Sequence, residues 1–181
     1  MNDELTIIYN VQHEGSGDMY DKGQLVLNTL RSVIDNDSLW FSILKGLQSK
    51  FEYQTITAQD VFGFVNEKTG KDYNYFFNQY LKCTRVPELD VRLTYRGDTM
   101  MVNYRWNADS ADFRMPVRVT TAPGKFEFIY PTTSWQRIKL GAFDPKEFKV
   151  DEDRFYVNLR LGWSYMDPRV QSNGNRRGSW F

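Results

Sequence analysis

Leu89-Asp90-Val91-Arg92-Leu93-Thr94-Tyr95, a turn at Gly97-Asp98, and Val102-Asn103-Tyr104-Arg105-Trp106 decide the fold class. Apolar and polar residues alternate with a period of two on both sides of the turn, the pattern of a hairpin with one buried face. Working toward the C-terminus, further strands are predicted at 115–121, 125–130, 134–140 and 154–161. Pro123-Gly124 and Asp144-Pro145 act as turn signals between some of them. Short strands at this spacing predict a small antiparallel β-sandwich over residues 88–162. Beyond Trp163 the periodicity is lost in an Asn, Gly, Ser and Arg-rich stretch, which reads as a mobile tail over 163–181. Arg176-Arg177 in that tail reads as solvated charge.

Toward the N-terminus the period changes to that of a helix, and residues 1–87 form a different unit. Residues 5–11 are β-prone and 12–17 form a loop. Asp18 is placed to cap a helix over 19–34, with Asp21 adding negative charge to its first turn. Leu27, Leu30 and Ile34 recur at helical spacing there, with Val26 and Val33 widening the apolar face. Asp35-Asn36-Asp37-Ser38 stops this helix and starts the next. Trp40, Ile43, Leu44, Leu47 and Phe51 then line a second amphipathic helix over 38–51. Thr57 and Asp60 have the spacing of a capping box for a third helix, which Gly70 closes. Asp72 opens a fourth, with Tyr73, Phe76, Phe77, Tyr80 and Leu81 on one face. The fold class is therefore α+β: about four helices followed by a small antiparallel β-sandwich.

The chain has 181 residues, 41% hydrophobic and 16% aromatic, enough to build a core. Its 23 basic and 23 acidic residues cancel. That balance argues against broad nucleic-acid binding, which needs a cationic surplus. The halves differ in sign: residues 1–81 carry six Lys/Arg against eleven Asp/Glu, and residues 82–181 carry seventeen against twelve. The halves therefore attract one another, or simply present two solvated surfaces. No apolar run reaches the ~20 residues that span a bilayer. The single cysteine, Cys83, excludes an intramolecular disulfide and leaves the compartment open. A periplasmic or cell-envelope placement is favoured over a cytoplasmic one.

The chemistry-bearing motifs are sparse. His13-Glu14 starts like a His-Glu-x-x-His zinc helix, but the chain holds one histidine and two glycines follow it. A catalytic zinc needs about three protein ligands, so no metal or cofactor site is expected in this chain. No nucleophile elbow and no phosphate-binding loop is present. Gly15-Ser16-Gly17 precedes a helix, but Asp18 and Asp21 would repel an anion there. What remains is Tyr20 in Tyr20-Asp21-Lys22-Gly23. A phenol in the first turn of a helix either covers the helix end or reaches into a cleft, where it can donate a hydrogen bond to a developing oxyanion. Gly23 marks a place where another element could pack closely.

An ordered set of segments resembles the C-terminal part of M1-family (gluzincin) zinc aminopeptidases. It comprises Met19-Tyr20-Asp21-Lys22-Gly23, Leu25 to Leu30, Phe51 to Thr57, Asp60 to Phe64, Val65 to Gly70, Phe76 to Leu81 and Val86-Pro87. The resemblance covers about residues 13–95, and the β segment after it looks like the β-sandwich domain that follows in many members. It implies that Tyr20 is catalytic, stabilising the tetrahedral intermediate opposite a zinc ion. The His-Glu-x-x-His helix, the third glutamate ligand and the Gly-x-Met-Glu-Asn strand that precede this tyrosine in the family are absent here. The chain is accordingly read as a fragment beginning after the zinc site. In the parent protein it would act on peptide substrates with zinc, and alone it would be inactive. The partners expected are the peptide substrate and the missing catalytic half, with a possible dimer through the 19–51 helices and no nucleic acid or membrane span. Two other functions stand beside this reading: a non-catalytic peptide- or protein-binding module, and a degenerate pseudo-enzyme.

Overall fold

The computed structural model describes residues 18–96, 99–141 and 144–165. The β-prone 5–11 segment, His13, the Gly15-Ser16-Gly17 loop, the Gly97-Asp98 turn and residues 166–181 lie outside the described residues. Four helices come first: α1 (Asp18–Ile34), α2 (Asp37–Phe51), α3 (Ala58–Thr69) and α4 (Asn74–Phe77), which runs on as a π-helical turn, Asn78–Lys82. Six strands follow: β1 (Glu88–Arg96), β2 (Thr99–Asn107), β3 (Val117–Ala122), β4 (Lys125–Ile129), β5 (Gln136–Leu140) and β6 (Asn158–Tyr165). The helical-then-β order matches the predicted α+β class.

The helix boundaries have local chemical causes. Asn36 Oδ1 accepts from Leu39 N at 2.9 Å, starting α2. At α3, Thr57 Oγ1 accepts from Asp60 N and Asp60 Oδ2 accepts from Thr57 N, so the predicted capping box is complete. Gly70 ends α3 in the left-handed conformation at φ 64°, which a side chain would oppose. The fourth helix begins two residues later than Asp72, which instead caps it from outside through Asn74 N.

The strands form two sheets. One has the order β5-β2-β1-β6, and the other is the β3-β4 hairpin. Within the larger sheet β1–β2 and β2–β5 are antiparallel, but β1–β6 is parallel. The expected small β-sandwich is present, antiparallel throughout its named pairings except for the one parallel pair, β1–β6. The cause is the return path. After β5 the chain crosses the core through Phe148, Val150 and Phe155, and re-enters beside the start of β1, where Asn158 N donates to Pro87 O at 2.9 Å. The strand expected at 154–161 correspondingly starts at Asn158 and runs to Tyr165, because Arg154 and Phe155 are held in a turn on Asp151 O. Trp163 to Tyr165 therefore belong to the sheet and not to the stretch beyond it.

Leu89, Val91, Leu93, Val102, Tyr104 and Trp106 face inward from β1 and β2, as the period-two reading required; Met100 joins them, and Tyr95 is half-buried. Trp106 donates from Nε1 to Met115 O at 2.9 Å and meets the edge of Phe113, whose ring also contacts Tyr75 and Tyr80 from the helical region. The buried apolar residues form one cluster from Val26 to Val157, so a single core spans both regions.

Candidate functional site

Tyr20 lies in the first turn of α1 with 74% of its surface exposed. The inward face of that helix is Val26, Thr29, Leu30 and Val33. This differs from the expected stripe: Leu27 is 52% exposed, and Thr29 takes a core position. Spacings of three and four residues put Tyr20, Gly23 and Leu27 along one side of the first turns of α1, ahead of the point where that side is buried at Leu30 and Ile34. A Cβ added at Gly23 would meet nothing within 4 Å. Phe41 and Leu44 of α2 are also exposed. Of the apolar stripe expected on α2, Trp40 and Ile43 are buried and Leu47 and Phe51 half-buried, while Leu44 is exposed.

Among the described residues no group of three or more His, Cys, Asp or Glu is placed to hold a metal ion. Cys83 follows the π-helical turn, half-buried and outside any disulfide. The chemistry that Tyr20 offers is a phenol hydrogen bond into the space outside α1. No helix among the described residues is long and apolar enough to cross a membrane.

Three buried polar residues hold this helical region on the β region: Tyr80, expected on the apolar face of the fourth helix, and Thr29 and Gln79, which sequence reading missed. Thr29 Oγ1 donates to Leu25 O and accepts from Tyr156 N, each at 2.8 Å. Tyr80 donates to Tyr156 O at 2.6 Å. The backbone N–H and C=O of one residue are thus both bound by helical side chains. Gln79 donates from Nε2 to Arg85 O and accepts at Oε1 from Ser110 N, both at 2.9 Å. Burial pushes the Tyr80 phenol well above its ordinary range, with Tyr156 and Tyr75 adding to the shift. Tyr80 therefore stays a neutral donor. The signal in the sequence was faint: Thr29 and Gln79 sit at core phases of their helices, where a polar residue needs a partner.

The outward face of the four-stranded sheet gathers a second group. Asp90, almost fully buried, is bridged by Arg105 at 3.0 Å and Arg160 at 3.3 Å, and Arg160 also pairs with Glu88. Trp135 lies 4.4 Å from the Arg92 guanidinium and 4.7 Å from that of Arg105.

With this geometry in view, comparison with known proteins gives one kind of relation. No family model matches the sequence, and no curated protein matches it. The structure is similar to that of Legionella pneumophila aminopeptidase A in complex with aspartic acid, with a TM-score of 0.64, 11% identity and 82% of this chain covered. The match spans 18% of that protein's chain. At this identity the likeness concerns the fold. The helical region and β-sandwich together form an arrangement also found within a much longer aminopeptidase.

Proposed function

We propose that this chain is the C-terminal part of an M1-like zinc aminopeptidase, whose parent removes N-terminal residues from peptides. Its helices complete a catalytic domain whose metal half lies on other residues of the parent, and its β-sandwich buttresses that domain. In the parent, Tyr20 donates its phenol hydrogen bond to the tetrahedral intermediate. Zinc there would polarise the peptide carbonyl and activate water. The observation that carries this reading is the open face of α1: a tyrosine, a glycine with empty space above it and an exposed leucine, on a fold shared with part of an aminopeptidase. The missing half of the same polypeptide would cover that face. The isolated chain is expected to be inactive, and a periplasmic or cell-envelope parent is part of this proposal.

Two measurements test this. The reading frame upstream of Met1 should encode a His-Glu-x-x-His helix and a further glutamate ligand; a frame without them overturns the proposal. In the longer protein, Tyr20→Phe should cut kcat by ~10²–10³ with zinc content unchanged. A loss below twofold removes Tyr20 from the mechanism.

A further inference from the structure

The outward face of the β5-β2-β1-β6 sheet has an uneven charge distribution. At its Glu88 end, acids and bases match: Arg105 and Arg160 answer Glu88 and Asp90. At the other end they do not. Arg92 of β1, Asn103 of β2 and Arg137 of β5 share one cross-strand row, and Lys139 opposes Met101 in the next ladder position. Among the described residues, Arg92, Arg137 and Lys139 have no ion-pair partner. These cations are not splayed at random. Arg137 donates from Nε to Asn103 Oδ1 at 2.7 Å, which turns it inward over β2. Arg92 is held against Trp135, itself 40% exposed. The result is an apolar ring bordered by fixed guanidinium groups with donors to spare.

We infer that this end of the sheet docks an acidic protein partner, an extended segment carrying Asp or Glu, and this inference stands apart from the aminopeptidase reading. Arg92 and Arg137 are two strands apart, about 9.5 Å at the usual strand spacing. Two carboxylates two residues apart on an extended chain share one face and are about 6.6 Å apart at ~3.3 Å per residue, and the reach of the long side chains spans the remaining ~3 Å. Each guanidinium can take a carboxylate in two parallel hydrogen bonds, geometry that lysine does not offer. Trp135, held against Arg92 and Arg105, supplies an apolar contact beside the Arg92 guanidinium. Nucleic acid fits less well. Glu88 and Asp90 share the face, the chain has no net positive charge, and one tryptophan makes no stacking ladder.

The test is fluorescence anisotropy of the full 181-residue chain with a labelled (Glu-Ser)4 peptide. Saturable binding is expected at about 50 mM salt and should weaken at about 500 mM, where charges are screened beyond ~4 Å. Arg92→Gln with Arg137→Gln should raise Kd about tenfold or more, while Lys146→Gln, on the turn before β6, should change it less than twofold. Circular dichroism checks that each variant is folded. Absence of saturable binding, or a double variant that binds as the wild type does, overturns the inference. So does an oligothymidylate of equal charge that binds as tightly as the peptide, since that would mark a phosphate site.

Discussion

The grip on Tyr156 yields the sharpest prediction. Thr29→Val keeps the shape and β-branching of the side chain, so helix propensity and packing change little. Leu25 O keeps its helical partner, but Tyr156 N loses the oxygen it reached at 2.8 Å. An orphaned buried N–H costs about 1–3 kcal/mol. The methyl that replaces the hydroxyl recovers part of that, leaving about 1–2 kcal/mol. Tyr80→Phe removes the phenol at 2.6 Å from Tyr156 O and should cost about 1–2 kcal/mol on the same reasoning. Both variants act on one residue's backbone, so the double variant should depart from the simple sum of about 2–4 kcal/mol. For a chain of this size that is roughly 5–15 °C in Tm.

The assay is guanidinium denaturation followed by far-UV circular dichroism for the helices and near-UV dichroism for the packed aromatic core, with hydrogen exchange at Tyr156. One core spans both regions, so the two signals should move together in wild type and variants. Protection of the Tyr156 amide should fall in Thr29→Val before the global change is felt. Two separated transitions in the wild type, or a Thr29→Val cost below about 0.5 kcal/mol, would refute the idea that helical side chains hold the β region in place.

Gly46→Ala and Gly23→Ala should have opposite signs. A Cβ at Gly46 would lie 2.7 Å from Phe64 Cζ, on a buried ring, and the ~1–3 kcal/mol of overpacking should exceed the ~1 kcal/mol helix gain. Gly23→Ala meets open space and should stabilise the isolated chain by about 0.5–1 kcal/mol in thermal melts. Acid should weaken the α3 cap. Hydrogen bonds from the Thr57 side chain and backbone hold the Asp60 carboxyl below its ordinary 3.8, so its contribution is present above that value and is lost as pH falls through the lower folded value. At the alkaline end, Tyr80 is raised above 10.0 by burial; its contribution is full below 10.0 and disappears as pH rises through the folded value, which a pH series of melts would follow. Finally, the exposed apolar face of α1 and α2 should drive self-association at high concentration, and Leu27→Asp should shift sedimentation velocity profiles toward monomer. A wild-type chain that stays monomeric would remove that face as an assembly surface.

The parts of the fold that were legible in the sequence are those set by neighbouring residues. The Thr57–Asp60 cap, the Gly70 stop and the Leu89–Trp106 alternation depend on spacings of two to four, and each appears where the residues place it. What depends on distant partners was not legible. No local pattern says that β6 runs parallel to β1, since that follows from the path of residues 144–157 across the core. The phase of α1 fails for the same reason. Leu27 and Thr29, two residues apart, lie on opposite sides of the helix; apolarity alone favours burying Leu27, but Thr29 is the residue buried, with its Oγ1 accepting from Tyr156 N, 127 residues away. The same logic bears on Tyr20. Tyr20 and Thr29 lie on opposite sides of α1, nine residues apart at about 100° each, so the hydrogen bond that turns Thr29 inward also fixes the direction in which the tyrosine is presented. Loosening that bond with Thr29→Val should therefore disturb the orientation of Tyr20, about two and a half turns away along a continuous helix, although the two residues never touch. Under the proposed aminopeptidase function, Thr29→Val in the parent protein should lower kcat by a few-fold while leaving zinc content unchanged. A variant with full kcat would show that α1 holds its direction without the Tyr156 bond.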